Sequence, residues 1–382
     1  LFKRTIGDAT DVVSKEMFDF KDKGGDAVAL RPEATASVVR AYIQHGMIDQ
    51  PQPLRLWYWG PMFRYDRPQS GRYRQFHQLG FESIGDGHPV IDAQQIMICA
   101  GLFKHFGVPI TIQVNSIGHK ECRHEYTKKL TAYYRTKRTK LCEDCKKRIT
   151  ANPLRLLDCK DKGCQEFKAE TPQIVDHLCD ECREHFVKVL EYLDDAEIPY
   201  QLNPQLVRGL DYYTKTVFEV WPHAEEGEQK GQSALGGGGR YDDLVEILGG
   251  TPTPAVGFSL GIERILLALR DAGYMPPRVY EPDVFVAQLG DQAKQEAIKL
   301  FEELRQRNFR VIETFSKDGL KPQLEQASRM KVKYSIIIGQ KEMLEGTVIV
   351  RDMESGIQEI VDRVKIINEL QKKLNPKEDE EE

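Results

Sequence analysis

FRYDRPQSGRYRQFHQLGFE, residues 63–82, reads as strand, turn and strand. An aromatic entry from Leu56 to Tyr65 meets a Pro-Gln-Ser-Gly turn at 68–71, and the return from Arg72 can pair back antiparallel. Side chains alternate across a strand, so Arg74, Phe76, Gln78, Gly80 and Glu82 share one face while His77, Leu79 and Phe81 share the other. The second set suits a core. The first differs from an ordinary solvated face, which draws on Lys, Glu, Thr and Ser: Arg64, Arg67, Arg72 and Arg74 gather beside a Gln, a Gly and a Glu. Guanidinium groups pair bidentately with phosphate oxygens, and Phe76 offers a stacking plane for a base, so this face reads as a nucleotide floor.

The stretch resembles motif 2 of the class II aminoacyl-tRNA synthetases, in a version similar to that of the histidyl-tRNA synthetase family. LVRGLDYY at 206–213 resembles that family's histidine-specific signature, and AVGFSLGIER at 255–264 resembles motif 3. The likeness extends over nearly the whole chain. It implies an α+β fold. An antiparallel-sheet catalytic domain in two parts, 1–117 and 201–275, is interrupted by a helical insertion at 118–200; an α/β anticodon-binding domain at 283–374 and a disordered acidic tail at 375–382 follow.

Size and composition agree with such a plan. A chain of 382 residues, 40% hydrophobic and 30% charged, makes two or three water-soluble domains. The net charge of −5 argues against a generally basic nucleic-acid binder, but Glu378–Glu382 supplies five negative charges by itself. The remainder is near neutral, so RNA contact must come from local basic patches. No apolar run approaches a membrane span and no secretory signal precedes the first element, so a cytoplasmic location without membrane contact is expected. The chain opens at Leu1-Phe2-Lys3-Arg4 without a methionine, and an N-terminal segment is expected to be missing. In the resembling family that segment would carry motif 1 and much of the dimer interface, which implies a homodimer when it is present.

Near the start, Met17–Phe20 and Val28–Leu30 read as short strands around a Lys-Gly-Gly turn, and Arg31-Pro-Glu-Ala-Thr35 opens a helix to about His45 striped by Val38, Val39, Tyr42 and Ile43. Glu33 and Thr35 suit a helix N-terminus as capping groups. The resemblance gives them a second reading, as the loop receiving a substrate's α-amino group, since a carboxylate and a hydroxyl suit an ammonium with three donors. Ala34 stands where the family usually has Gly, which bears on the local turn geometry.

Residues 89–107 read as a buried helix through Ile91, Ile96, Ile98, Leu102, Phe103 and Phe106, followed by a strand at 110–114. The insertion is basic, with Lys128, Lys129, Arg135, Arg138, Lys140 and Lys147 among its cations, interleaved with Tyr126, Tyr133 and Tyr134. That pattern fits a solvated face or, on the resemblance, a surface for the tRNA acceptor arm. Six cysteines form spaced groups here: Cys142-x2-Cys145, Cys159-x4-Cys164 and Cys179-x2-Cys182. In a cytoplasmic setting the spacing argues for zinc before disulfides. A bound zinc would be structural, ligated by the outer pairs or by one pair with Cys159 and Cys164. The resembling family generally builds the insertion without metal, so no residue is assigned as a metal ligand.

Downstream, Arg208–Tyr213 leads into a strand at 216–220, Gly236–Gly239 with Arg240-Tyr-Asp242 reads as site lining, and Gly257–Gly261 opens a helix striped by Ile262, Ile265, Leu266 and Leu269. Arg264 lies off that stripe, free to reach a phosphate. A proline-bearing linker at 271–282 precedes alternating strands and helices, closed by a helix expected over 358–374.

The resemblance implies ATP-dependent activation of L-histidine to an adenylate and its transfer to tRNA(His). Arg64 and Arg208 would act at the α-phosphate, Arg208 where related enzymes place a metal ion, and Arg264 with Arg72 toward the γ end. Phe76 would stack on adenine and Asp66, usually Glu in the family, would accept its amino group. Glu33, Ala34, Thr35 and Gln78 would form the ammonium site; Glu82 and Tyr213, with Tyr212 beside them, would flank the imidazole. Mg2+ would accompany the β- and γ-phosphates. The alternative is a non-catalytic regulatory subunit of ATP phosphoribosyltransferase on the same fold, which usually lacks the C-terminal module that is present here.

Overall fold

The computed structural model describes residues 1–7, 10–223, 234–275 and 281–374, so the acidic tail and the middle of the linker lie outside the described residues. The chain divides into two units, Leu1–Tyr274 and Met275–Glu382.

The first unit carries a short antiparallel hairpin, β1 (Asp19–Lys21) and β2 (Ala27–Ala29), and a seven-stranded sheet. Its strands are β3 (Leu54–Phe63), β4 (Gln75–Ile84), β5 (Ile110–Ser116), β6 (Gln201–Leu202), β7 (Thr214–Pro222), β8 (Gly236–Arg240) and β9 (Ala255–Gly261), in the order β3-β4-β9-β8-β7-β5-β6. Every pairing is antiparallel except β5 with β6. Helices α1 (Phe2–Ile6), α2 (Thr35–Gln44) and α3 (Pro89–Phe106) precede the insertion, which supplies α4 (Lys120–Thr136), α5 (Glu143–Ala151), α6 (Lys162–Gln165) and α7 (Asp180–Asp195); α8 (Leu244–Ile247) and α9 (Ile262–Asp271) follow.

The alternation in β4 governs the layering. Phe81 turns to the core, where its ring stacks on Phe258 of β9 at 5.2 Å, under a cluster built from α3, α7 and the sheet. α3 starts at a His88 cap with Pro89 in its first turn and stops at Gly107, whose φ of 67° is a left-handed stop that glycine adopts without strain. Deep between α3 and β8, fully buried Arg240 pairs with Asp92 and also donates to Asp242 and to the Asp86 and His88 carbonyls.

Several expectations are corrected. From the insertion, Tyr126, Leu130, Tyr134 and Ile149 share one core with Ile6, Val39, Tyr212 and Val217, and α7 packs on α3. Tyr126 and Tyr134 are therefore core residues, while Lys128, Lys129 and Arg135 around them are exposed. Ile98 and Leu266 face outward, because each helix meets the sheet along a narrower stripe than its apolar content suggests; Cys99 and Ile265 face in.

In the second unit, β10 (Val284–Gln288), β11 (Val311–Glu313), β12 (Tyr334–Ile338), β13 (Thr347–Asp352) and β14 (Gln358–Asp362) form a sheet in the order β11-β10-β12-β13-β14. Helices α10 (Asp291–Gln306), α11 (Leu320–Arg329), α12 (Gln340–Glu345) and α13 (Ile366–Leu374) complete it. The helix expected over 358–374 is a strand followed by a shorter helix. Gln358–Asp362 returns from a turn at Gly356, φ 75°, and pairs residue by residue with β13, so hairpin hydrogen bonding outweighs the local helical pattern.

Candidate active site

One cavity of about 600 Å³ opens on the polar face of the large sheet. Its floor is a cross-strand row. Tyr58 of β3 pairs with Gly80 of β4, Gly80 with Ser259 of β9, Ser259 with Gly237 of β8, and Gly237 with Glu219 of β7. Same-face neighbours in adjacent strands lie side by side, so this register brings Gly80 and Ser259, 179 positions apart in sequence, next to each other. The small residues are required: a Cβ on Gly80 would sit 2.1 Å from the Tyr58 ring, and one on Gly237 would sit 2.7 Å from Nη1 of Arg208. The glycine run is thus a central strand that lets a guanidinium rest on the sheet.

Four arginines converge on this cavity: Arg64, Arg72, Arg208 and Arg264. Each is held from behind. Arg64 Nε donates to the Pro32 carbonyl at 2.8 Å, and its guanidinium lies over the Phe76 ring at 5.4 Å. Arg264 donates to the Gly71 and Ala234 carbonyls at 2.9 and 2.6 Å. Arg208 pairs with Glu219 at 2.5 Å and stands over the Tyr213 ring, while Arg72 pairs with Asp66 at 3.3 Å. Fixed donors aimed into a shared hollow are what an anionic polyphosphate requires. Arg67 and Arg74 are exposed, and Arg74 stacks on Tyr65.

Glu33, Thr35, Gln78, Tyr212 and Tyr213 line the same cavity. The capping and ligand readings of Glu33 coincide, for it accepts from the Ala36 N–H at 3.2 Å while facing the cavity, and burial raises its pKa. Ala34 adopts φ −115°, ψ −16°, an ordinary right-handed conformation, so its methyl imposes no strain; it is buried behind the loop. Oε1 of Gln78 is a buried acceptor with no protein partner. Such an atom facing a cavity marks a place for a donor from a ligand.

Glu82 is placed differently from the expectation. Its carboxylate lies behind the cavity wall, accepting from the Thr35 hydroxyl at 2.7 Å and from the Tyr241 hydroxyl. Both of those residues line the cavity, whereas Glu82, 2% exposed, does not. Burial pushes its carboxyl up to about 8, with the two hydroxyl donors and the Glu33 charge as smaller influences. Sequence reading missed Tyr58 and Glu219, and took Tyr241 only as part of a site-lining run without a role of its own. Tyr241 stands two residues past the glycine run, yet nothing local says that it spans to Glu82, 159 residues away.

The cysteines also sort unexpectedly. Cys142 and Cys145 meet Cys159 and Cys164, one of the two arrangements expected. The alternative through the outer pairs does not form, because Cys179 and Cys182 meet His119 and Cys122 instead. A larger, shallower depression of about 980 Å³ over the β1–β2 hairpin contains none of the expected site residues.

The family described as Histidyl-tRNA synthetase matches residues 2–265, and the Anticodon binding domain family matches 283–373. The chain belongs to the histidyl-tRNA synthetase family. It is 44% identical to a histidine--tRNA ligase of Dehalococcoides mccartyi over 98% of this chain and 89% of that one. With the Thermosipho melanesiensis histidine--tRNA ligase it shares 46% identity over 96% of this chain and 86% of the relative. Among solved structures, apo histidyl-tRNA synthetase of S. aureus superposes with a TM-score of 0.75 at 36% identity, covering 94% of this chain and 87% of that one. The class II synthetase fold and the anticodon-binding domain expected for a histidyl-tRNA synthetase are thus both present. Among the described residues no helix is long and apolar enough to cross a membrane.

Proposed function

We infer that this chain is a histidine--tRNA ligase, using ATP to activate L-histidine as the adenylate and passing the acyl group to tRNA(His). The observation carrying this reading is the convergence of Arg64, Arg72, Arg208 and Arg264 on one cavity that Glu33, Thr35, Gln78 and Tyr213 also line.

Attack of the histidine carboxylate on the α-phosphate builds negative charge, which Arg64 and Arg208 neutralise without reorganising, since both are already anchored. Arg264 and Arg72 take the γ end. Phe76 stacks on adenine, and Asp66, engaged with Arg72, borders it. The cavity's carboxylates near the phosphates each have a partner already: Glu219 has Arg208 and Glu263 has His77. A Mg2+ accompanying ATP would thus draw little on these carboxylates and would supply charge neutralisation at the leaving pyrophosphate.

For the amino acid, proton placement decides recognition. A hydroxyl has one proton; with Thr35 and Tyr241 both donating to ionised Glu82, both oxygens turn to the cavity as acceptors. Thr35, Glu33 and Gln78 then receive the three ammonium protons. Tyr241 receives the imidazole N–H, and Tyr213, with Tyr212 packed on it at 4.7 Å, donates to the other ring nitrogen. Glu82 is a positioning residue in this scheme. A site whose buried polar groups lose their partners without the right ligand discriminates by about 10⁴–10⁵.

The turn at 67–71 meets the tRNA acceptor end, and the exposed Trp57 and Trp59 on edge strand β3 offer an apolar strip for a homodimer in the cytoplasm. Histidine-dependent exchange of pyrophosphate into ATP tests the assignment. Robust exchange supports it; absence of exchange in folded protein, with histidine still bound, would favour the regulatory subunit instead.

A further inference from the structure

We propose that the insertion holds two structural zinc ions, one on Cys142, Cys145, Cys159 and Cys164 and one on His119, Cys122, Cys179 and Cys182, which together brace the loop carrying Arg208 and Tyr213. In each set the four ligand atoms lie within 4.8 Å of one another. Tetrahedral zinc with Zn–S bonds of about 2.3 Å puts its sulfurs about 3.8 Å apart. Cys142 and Cys159 sulfurs are 3.8 Å apart, and His119 Nδ1 is 2.9, 3.1 and 3.9 Å from the sulfurs of Cys122, Cys182 and Cys179.

The surroundings fit metal-bound thiolates. Both Cys-x2-Cys pairs open helices, α5 and α7, and in each the first sulfur accepts the N–H of the second cysteine, at 3.4 and 3.5 Å. Cys164 and Cys122 sulfurs accept the N–H of Cys142 and Cys179 in turn. Nε2 of His119 faces Glu121 at 3.4 Å, the carboxylate contact that orients a ligating imidazole. Between α4 and α7 the longest helix has nine residues, so this stretch has little regular structure to hold it without a cross-link.

Each cluster is next to a brace on the signature loop. Cys159 lies between Asp158 and Lys160, which line the catalytic cavity, and Arg155 of the same turn donates to the Arg208 carbonyl at 3.3 Å. Beside Cys122, Arg123 donates to the Tyr213 carbonyl at 3.0 Å. The metals thereby fix the two ends of the segment that presents guanidinium and phenol to the substrates.

The test is metal analysis of the full chain purified from zinc-supplemented medium without chelators. Two zinc ions per chain are expected, falling to one in Cys159→Ser and one in Cys182→Ser. Should a variant fail to fold, the wild-type protein answers alone: titration with a mercurial thiol reagent in the presence of a chromogenic zinc indicator should release two equivalents. Stoichiometric zinc whose release leaves the histidine KM unmoved would overturn the bracing role. Zinc well below one equivalent, another metal in its place, or intramolecular disulfides would overturn the proposal, whatever the outcome of the exchange assay.

Discussion

Glu82→Gln isolates the proton logic of the amino acid pocket. The wild-type carboxylate accepts from both Thr35 and Tyr241. An amide accepts through its oxygen from one of them and offers N–H to the other, whose hydroxyl proton must then turn into the cavity against an ammonium or an imidazole N–H. Losing one charge-assisted hydrogen bond costs about 1.5–3 kcal/mol, or roughly 10- to 150-fold in histidine KM. The ATP KM should stay unchanged, since the arginines are anchored elsewhere. Ionisation adds a second signature. With a carboxyl near 8, histidine must expel a proton to bind at neutral pH, so wild-type affinity should rise about eightfold from pH 7 to 8.5 and the variant's should not. The same shift acts on stability with a definite sign. The folded carboxyl titrates near 8 against a usual 4.5, so its contribution is complete below about 4.5 and is lost as pH rises through 8. Free wild-type protein should therefore lose more thermal stability between pH 5 and 8 than the variant. Pyrophosphate exchange at varied histidine, ATP and pH, with thermal melts alongside, reads all three. Equal losses for histidine and ATP, or parallel pH profiles in the two proteins, would refute the reasoning.

Arg208→Lys should lower kcat for exchange by about 10²–10³ with little change in either KM, because a fixed donor at the transition state is removed; a loss confined to histidine KM would place Arg208 with the amino acid instead. Gln69→Ala, in the turn at 67–71, should slow aminoacylation of tRNA while sparing adenylate formation, as single-turnover assays of the two steps would show. Arg240→Met should destabilise the first unit by about 3–5 kcal/mol in urea unfolding, because it strands buried Asp92 without its partner; a change under about 1 kcal/mol would mean that His185, 3.4 Å from Asp92, suffices.

Strand alternation in Phe63–Glu82, the cap-bearing start of α2 and the glycine run before Arg240 were legible because each is a local rule, in which period, cap or missing Cβ acts within a few residues. The arginines of motif 2 could be picked out for the same reason: Arg64 and Arg72 flank one turn. Period alone also misled, at Ile98 and Leu266, since amphipathicity says which residues can be buried and not how wide a neighbouring surface will cover them. At 358–374 a local helical pattern gave way to pairing with β13.

What the sequence by itself determined is the chemistry available: guanidinium groups, carboxylates, phenols and thiols, and the strands and helices that carry them. Only the tertiary structure decided the groupings. Glu82 receives its second donor from Tyr241, Arg208 rests on Gly237 and pairs with Glu219, and His119 with Cys122 completes the set begun by Cys179 and Cys182. Those partnerships depend on sheet register and on burial across segments far apart in the chain, and neither leaves a local trace, because the free energy of a long-range contact is set by what the whole fold removes from water.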